Sequence, residues 1–474
     1  MHGHAEPAAI THDSFFRSCT AAVEILTGLG VIALGALFYT IGWLTINAAV
    51  VLCVGLLLSL VLLSWTRFDQ GRHPCFLFIC TLTLLQGGRL LTYCLGYLPR
   101  PMRVGGFSQY GFDLSRDEAG IVLLCLALSA MCIYAPCRWK YRLCSPLASS
   151  TATRYLSYLY LIFAVTVPIQ IYKSYCYYKY IRTHGGYIYF FLNHAGVASS
   201  VPLLVRAVSL LTLPVFVAIF VLEKKRQLVY MTTVIYFTSN IFTLLLGTRG
   251  ALFALALALW YVAGLKSKHK RKLAVLASLV IALILVGDVI QTFREDSSSL
   301  SQYTFAPIKF VMLQGSSIEV TETAVRYRSI FSPYAIYYLI HELQNAFVAS
   351  DVTNYFRGKS LAFDVPVLLD RRAFNLGHGT GASYVAEAYV IGGIAGVAIV
   401  SVLIGVGLRC LYYLSNNVLS LIIVALILPD VLIMPRGNLL DWLSVLLKYA
   451  ILLLILYTGW LLFGFIVWLK KAKA

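Results

Sequence analysis

Two arginines in glycine-flanked turns are the side chains of this sequence best placed to do chemistry. Arg249 stands in Leu246-Gly-Thr-Arg-Gly250 and Arg436 in Met434-Pro-Arg-Gly-Asn438, each beside an apolar run. A guanidinium at such a boundary is costly unless something anionic meets it, and the neighbouring glycines let a ligand or another backbone come close. Its planar fork of donors suits phosphate or pyrophosphate oxygens. Arg371 and Arg372 add two more guanidiniums just before a glycine-rich stretch. Each has a competing reading as an anchor: a snorkelling side chain at a helix end for Arg249, an ion pair with Asp430 for Arg436, and solvated loop charges for Arg371 and Arg372.

The glycine-rich stretch holds Gly377, His378, Gly379, Gly381, Ser383 and Glu387. Its glycines would admit an anion to backbone amides, although no GxxxxGK[ST] phosphate loop occurs in the chain. His378 and Glu387 are the candidate bases for taking a proton from a hydroxyl. Glu387 falls one turn into an apolar run, so its competing role is an ion pair with Arg249 or Arg436. Gln314 and Ser316, in Lys309-Phe-Val-Met-Leu-Gln-Gly-Ser-Ser317, offer amide and hydroxyl partners to a sugar. Glu319, Glu322 and Arg326 follow at helical spacing, which predicts a short helix with an internal ion pair. No DxD motif is present, so no metal ligand set for nucleotide-sugar chemistry is visible and no metal or other cofactor is expected.

The elements that position these residues are apolar. With 59% hydrophobic and 12% charged residues, a mean hydropathy of +0.80 and repeated apolar runs of about 20 residues, the chain reads as an all-α, polytopic membrane protein forming one integral domain over residues 1–474. Hydropathy gives about twelve spans: Ala21 to Ile41, Leu44 to Trp65, Pro74 to Leu98, Ala119 to Cys137, Tyr155 to Tyr175, Pro202 to Leu222, Leu228 to Leu246, Ala251 to Leu265, Leu273 to Thr292, Ser383 to Leu408, Leu419 to Met434 and Tyr449 to Trp468. Between the ninth and tenth lies one long polar interval, residues 293–381, expected as a large extracytoplasmic loop. The eleven cysteines lie mostly in or beside spans, with no CxxC pair, which argues against a disulfide framework or a redox centre.

Counting Lys and Arg places both termini in the cytoplasm. Arg67 and Arg72, Arg138 to Arg154, Lys224 to Arg226, Lys266 to Lys272, Arg409 and Lys470 to Lys473 then all fall inside. The same topology puts the long loop and the Arg249 and Arg436 turns on the outer face. Part of the net charge of +18 is explained by the anionic inner leaflet; the outer arginines ask for an anionic ligand. Within spans, Arg89, Arg206, Asp288 and Lys448 should face the protein interior.

Four stretches carry a family resemblance: Phe310 to Ile318, Gly247 to Gly250, Gly379 to Tyr389 with Gly392 to Gly396, and Pro435 to Gly437. Together they resemble the landmarks of bacterial O-antigen polysaccharide polymerases of the Wzy type. The resemblance implies an inner-membrane glycosyltransferase of the GT-C-like superfold that works at the periplasmic face without a metal. Such an enzyme moves a growing glycan from undecaprenyl pyrophosphate onto the terminal sugar of another lipid-linked repeat unit. It would have lipid-linked glycans and membrane lipids as partners, a chain-length regulator as a further one, and no nucleic acid. On that footing Arg249, Arg436, Arg371 and Arg372 bind pyrophosphate, His378 or Glu387 is the base, and Gln314 and Ser316 contact sugar. An O-antigen ligase passing glycan to lipid A core shares this architecture. A transporter or lipid flippase would instead need polar residues lining a path across the midplane.

Overall fold

A computed structural model describes residues 8–68, 71–97, 115–138, 155–184, 193–245, 249–266, 306–344, 357–375 and 379–452. Among them every regular element is a helix. The long ones are α1 (Ala8–Thr40), α2 (Ile46–Arg67), α3 (Pro74–Leu85), α4 (Gly88–Cys94), α5 (Arg116–Arg138), α6 (Leu156–Thr183), α7 (Leu203–Leu210), α8 (Thr212–Leu222), α9 (Arg226–Ser239) and α10 (Arg249–Lys266). After them come α11 (Ala306–Gln314), α12 (Ile318–Arg326), α13 (Ala335–Gln344), α14 (Leu361–Asn375), α15 (Tyr384–Leu414) and α16 (Val418–Ile433). Residues 441–452 are helical as well.

In the described residues six helices are long and apolar enough to cross a bilayer, or seven if the bent pair α3 and α4 is one span, with shorter apolar helices at Gly250–Lys266 and Val418–Ile433. The chain is a multi-pass membrane protein. The outward faces of these helices carry Leu26, Leu34, Leu62, Leu161, Leu204 and Leu403, all well exposed, as lipid-facing surfaces require. The expected spans Leu273 to Thr292 and most of Tyr449 to Trp468 lie outside the described residues, as does Asp288.

Four expected elements differ in form. Pro74 to Leu98 is not one straight helix but two, bent by 63° between α3 and α4. The break falls at Gln86-Gly87, where two successive glycines weaken the helix. The run Pro202 to Leu222 divides at Leu211, and α6 continues to Thr183, so the tyrosines at 175 to 180 are helical rather than part of an outer loop. The polar interval 293–381 is largely helical where it is described, and α12 packs against α5 and α15.

Among the described residues the most extensive helix contact is that of α5 and α15. A Cβ placed on Gly405 would lie 2.6 Å from the Ile133 carbonyl oxygen, so only glycine permits this approach, the close packing of small residues common between membrane helices. Ser129, Tyr384 and Ser401 hydrogen-bond across the same crossing. This fixes the start of α15, and with it Ser383 and Glu387.

Candidate active site

The break after α3 is the knot of a polar cluster. Gln86 Nε2 donates to Ser383 Oγ at 2.9 Å, to Ser317 O at 3.3 Å and to Pro435 O, while its Oε1 accepts from Thr321 Oγ1 at 3.2 Å. One buried amide thus joins α3, the start of α12, the start of α15 and the Arg436 turn. Ser383 serves twice, because its hydroxyl also caps α15 by accepting from Ala386 N. Tyr384 N donates to Met434 O at 3.2 Å, which holds the 434–438 turn against the head of α15.

Within this knot two predicted residues meet. Arg436 Nη1 donates to Gln314 Oε1 at 2.6 Å, so a candidate pyrophosphate ligand lies on a candidate sugar ligand, both half-buried. Gly381 lies against them with φ +78°; a Cβ there would be 3.3 Å from Arg436 O. The glycine therefore answers both a left-handed backbone and a close approach by the arginine turn.

The backbones of α4 and the segment after α11 touch directly. A Cβ on Gly315 would stand 2.3 Å from Arg89 N, and one on Gly88 2.6 Å from Val311 O. Backbone cannot yield as a side-chain tip can. Gly315→Ala should therefore lower stability by about 1–3 kcal/mol, read as a fall in the thermal unfolding temperature of the purified protein in detergent. An unchanged unfolding temperature would show that the contact is looser than described.

Beneath the glycine contact, Arg89 Nη1 meets Glu319 Oε1 at 2.5 Å, with side-chain exposures of 5% and 3%. Arg89 thus faces the interior, and Glu319 pairs with it rather than with Arg326, which is exposed at the end of α12. Glu322 is buried beside the pair; burial first and the Glu319 charge second hold its carboxyl well above the usual carboxylate range, offset only in part by Arg89. A protonated Glu322 leaves the three groups electrically balanced.

The sequence profile of the family described as O-antigen polysaccharide polymerase Wzy matches residues 25–471. The chain belongs to this family. No curated protein and no solved structure matches it. Membership supports a polymerase role in O-antigen synthesis for this chain.

For that role the predicted residues divide. Arg436, Gln314, Gly381 and Ser383 come together as described. Ser316 is half-buried next to Gln314 in the same connection. Arg371 and Arg372 are exposed on α14 beyond a kink at Asp370, whose side chain accepts from Arg372 N at 2.8 Å; the hydrogen bonds that build the knot do not include them. His378 and the side chain of Arg249 lie outside the described residues, although the backbone of Arg249 opens α10.

Glu387 is 2% exposed. Its Oε2 accepts from Leu439 N at 2.8 Å, and Glu342 Oε2 accepts from Leu440 N at 2.8 Å. The two carboxyls thus hold consecutive amides, and the Oε1 of each is buried without a hydrogen-bond partner. Sequence reasoning missed Glu342, an isolated acid in a polar interval, and missed Gln86, whose signal was the Gln-Gly-Gly-Arg interruption of an apolar run. It also gave no role to Arg328. That side chain donates from Nε to Tyr389 O at 3.2 Å and lies over the Tyr389 ring. The carbonyl is free to accept because α15 breaks at Gly392 and Gly393, removing its partner four residues on.

Among the described residues one group of metal-ligand side chains converges, buried His73, Cys75 and Cys137. It sits at the far end of α3 from Gln86, where His73 stacks between Phe68 and Tyr412 and caps α3 through Cys75 N. These are packing roles.

Proposed function

We propose that this Wzy-family polymerase joins undecaprenyl-pyrophosphate-linked repeat units at the periplasmic face of the inner membrane, on a GT-C-like scaffold with cytoplasmic termini. The observation that carries the reading is the Arg436 to Gln314 contact, which brings a candidate anion-binding and a candidate sugar-binding group together beside the broken-helix knot. In this reading Arg436 and Arg249 hold the donor pyrophosphate, with Arg371 and Arg372 as outer guanidiniums that meet the approaching lipid-linked substrate. Positioned cations stabilise charge that grows on the departing pyrophosphate, and no metal is required for that step. Gln314 and Ser316 orient the sugar. His378 takes the acceptor hydroxyl's proton as the glycosyl bond to pyrophosphate breaks and the new one forms. Glu387, walled in behind the turn, acts through backbone.

The test is complementation of cells that lack their own polymerase but keep ligase. The wild-type chain should restore a ladder of long polysaccharide on lipopolysaccharide, and Arg249→Ala should reduce it by about a hundredfold or more while the protein remains abundant in membranes. A full ladder from Arg249→Ala would remove that residue from the site. Restoration of glycan attachment in a ligase-deficient strain instead would make the chain a ligase.

A further inference from the structure

The Arg436 turn is held on its far side by an unusual pair. Glu342 comes from α13 and Glu387 from α15, and their carboxyls hold consecutive amides, Leu440 N and Leu439 N. Both residues are buried, at 0% and 2% exposure. The Oε1 of each is buried with no hydrogen-bond partner, and each carboxyl lies near enough to act on the other's ionisation. Two carboxylates cannot hydrogen-bond to one another without a proton between them, and two bare charges in such a site would repel.

We propose that Glu342 and Glu387 form an acid pair sharing one proton, and that Glu342 is a positioning residue that sets the Arg436 turn for polymerisation. The inference rests on the functional reading above. The pair grips the turn from behind at 439 and 440, while Gln86 grips it in front through Pro435 O. Loss of the shared proton would force the carboxyls apart and take an acceptor from one of the adjacent amides. Arg436, between the two grips, would then lose its register with Gln314.

The surroundings favour retention of the proton. The charges that act on the pair are each other's and that of Asp441. Asp441 is itself bonded to Asn438 and faced by Lys448, which also faces Asp430 on α16. His341, the neighbour of Glu342, bonds to Gln344. Burial pushes Glu342 from its ordinary 4.5 up to about 7. Because the folded-state value is raised, stability from the held proton is complete below about 4.5 and is lost as pH rises through about 7.

The experiment compares wild type with Glu342→Gln, Glu387→Gln and the double variant, using full-length protein. Thermal unfolding in detergent is read at about pH 6 and about pH 8.5, on either side of the pair's titration. Polymerisation is read at the same pH values with lipid-linked oligosaccharide extracted from polymerase-deficient cells. Wild type should unfold at lower temperature and make less polymer at the higher pH. Either single glutamine should flatten both dependences, because its amide N–H replaces the shared proton while its oxygen still accepts from backbone. The double variant should unfold earlier than either single and lose at least about tenfold in polymer, since two amide NH2 groups then face each other. A double variant equal to the singles, or singles that keep the wild-type pH dependence, would overturn the proposal. If unfolding follows the pattern while polymer yield does not, the positioning role is overturned. If wild type makes no polymer, the functional reading fails, and unfolding alone still decides whether the pair exists.

Discussion

Arg436→Ala is expected to abolish long polymer while leaving the protein folded. Arg436 is half-buried at a turn whose backbone is fixed independently of its side chain, through Pro435 O to Gln86 and through Tyr384 N to Met434 O. Truncation therefore removes a guanidinium without removing the turn. Loss of one donor to a developing anionic charge costs about 10²–10³ in rate, enough to erase a ladder that depends on many successive transfers. Arg436→Lys separates charge from shape: it keeps the cation but loses the fork that can hold Gln314 and a phosphate oxygen together, so short ladders should remain. Lipopolysaccharide profiles of complemented cells read both variants, with unfolding temperatures as the control for folding. Full-length ladders from the alanine variant would exclude Arg436 from the site.

The same turn shows how much was legible in the sequence. Met434-Pro-Arg-Gly-Asn438 announced itself because proline and glycine interrupt an apolar run around a cation, whereas Gly381 and Ser383 stood out only within a glycine-rich stretch, and their left-handed backbone and helix cap came from the structure. Hydropathy likewise located α2, α5 and α16 to within a few residues, whereas α1 begins well before the expected span at Ala21 and α15 runs past the expected end at Leu408. The break at Gln86 stayed hidden for a physical reason. Averaged over about 20 residues, two glycines and one amide barely lower the hydropathy of a span, yet they decide whether it continues straight. The partner of Glu319 was equally out of reach: helical spacing offered an ion pair only between Glu322 and Arg326, four residues apart, and burial chose Arg89 from a distant helix. Glu342 gave no signal of its own, since what distinguishes it from a solvated loop acid is the opposing Glu387.

That distant ion pair supports the second large expected effect. Arg89→Met should destabilise the fold by about 3–5 kcal/mol, because it strands Glu319 as an uncompensated charge in a nearly water-free site. Adding Glu319→Met should return most of the stability, as replacing both members of a buried pair with apolar residues of similar volume often does. Function need not follow stability. Arg89 N lies against Gly315, directly after Gln314, so a repacked α4 to α12 junction can be firm and still present Gln314 wrongly to Arg436. Unfolding temperature should therefore recover in the double variant more fully than ladder length. An Arg89→Met protein as stable as wild type, or a double variant no more stable than the single, would mean that the pair does not hold α4 to α12 as described.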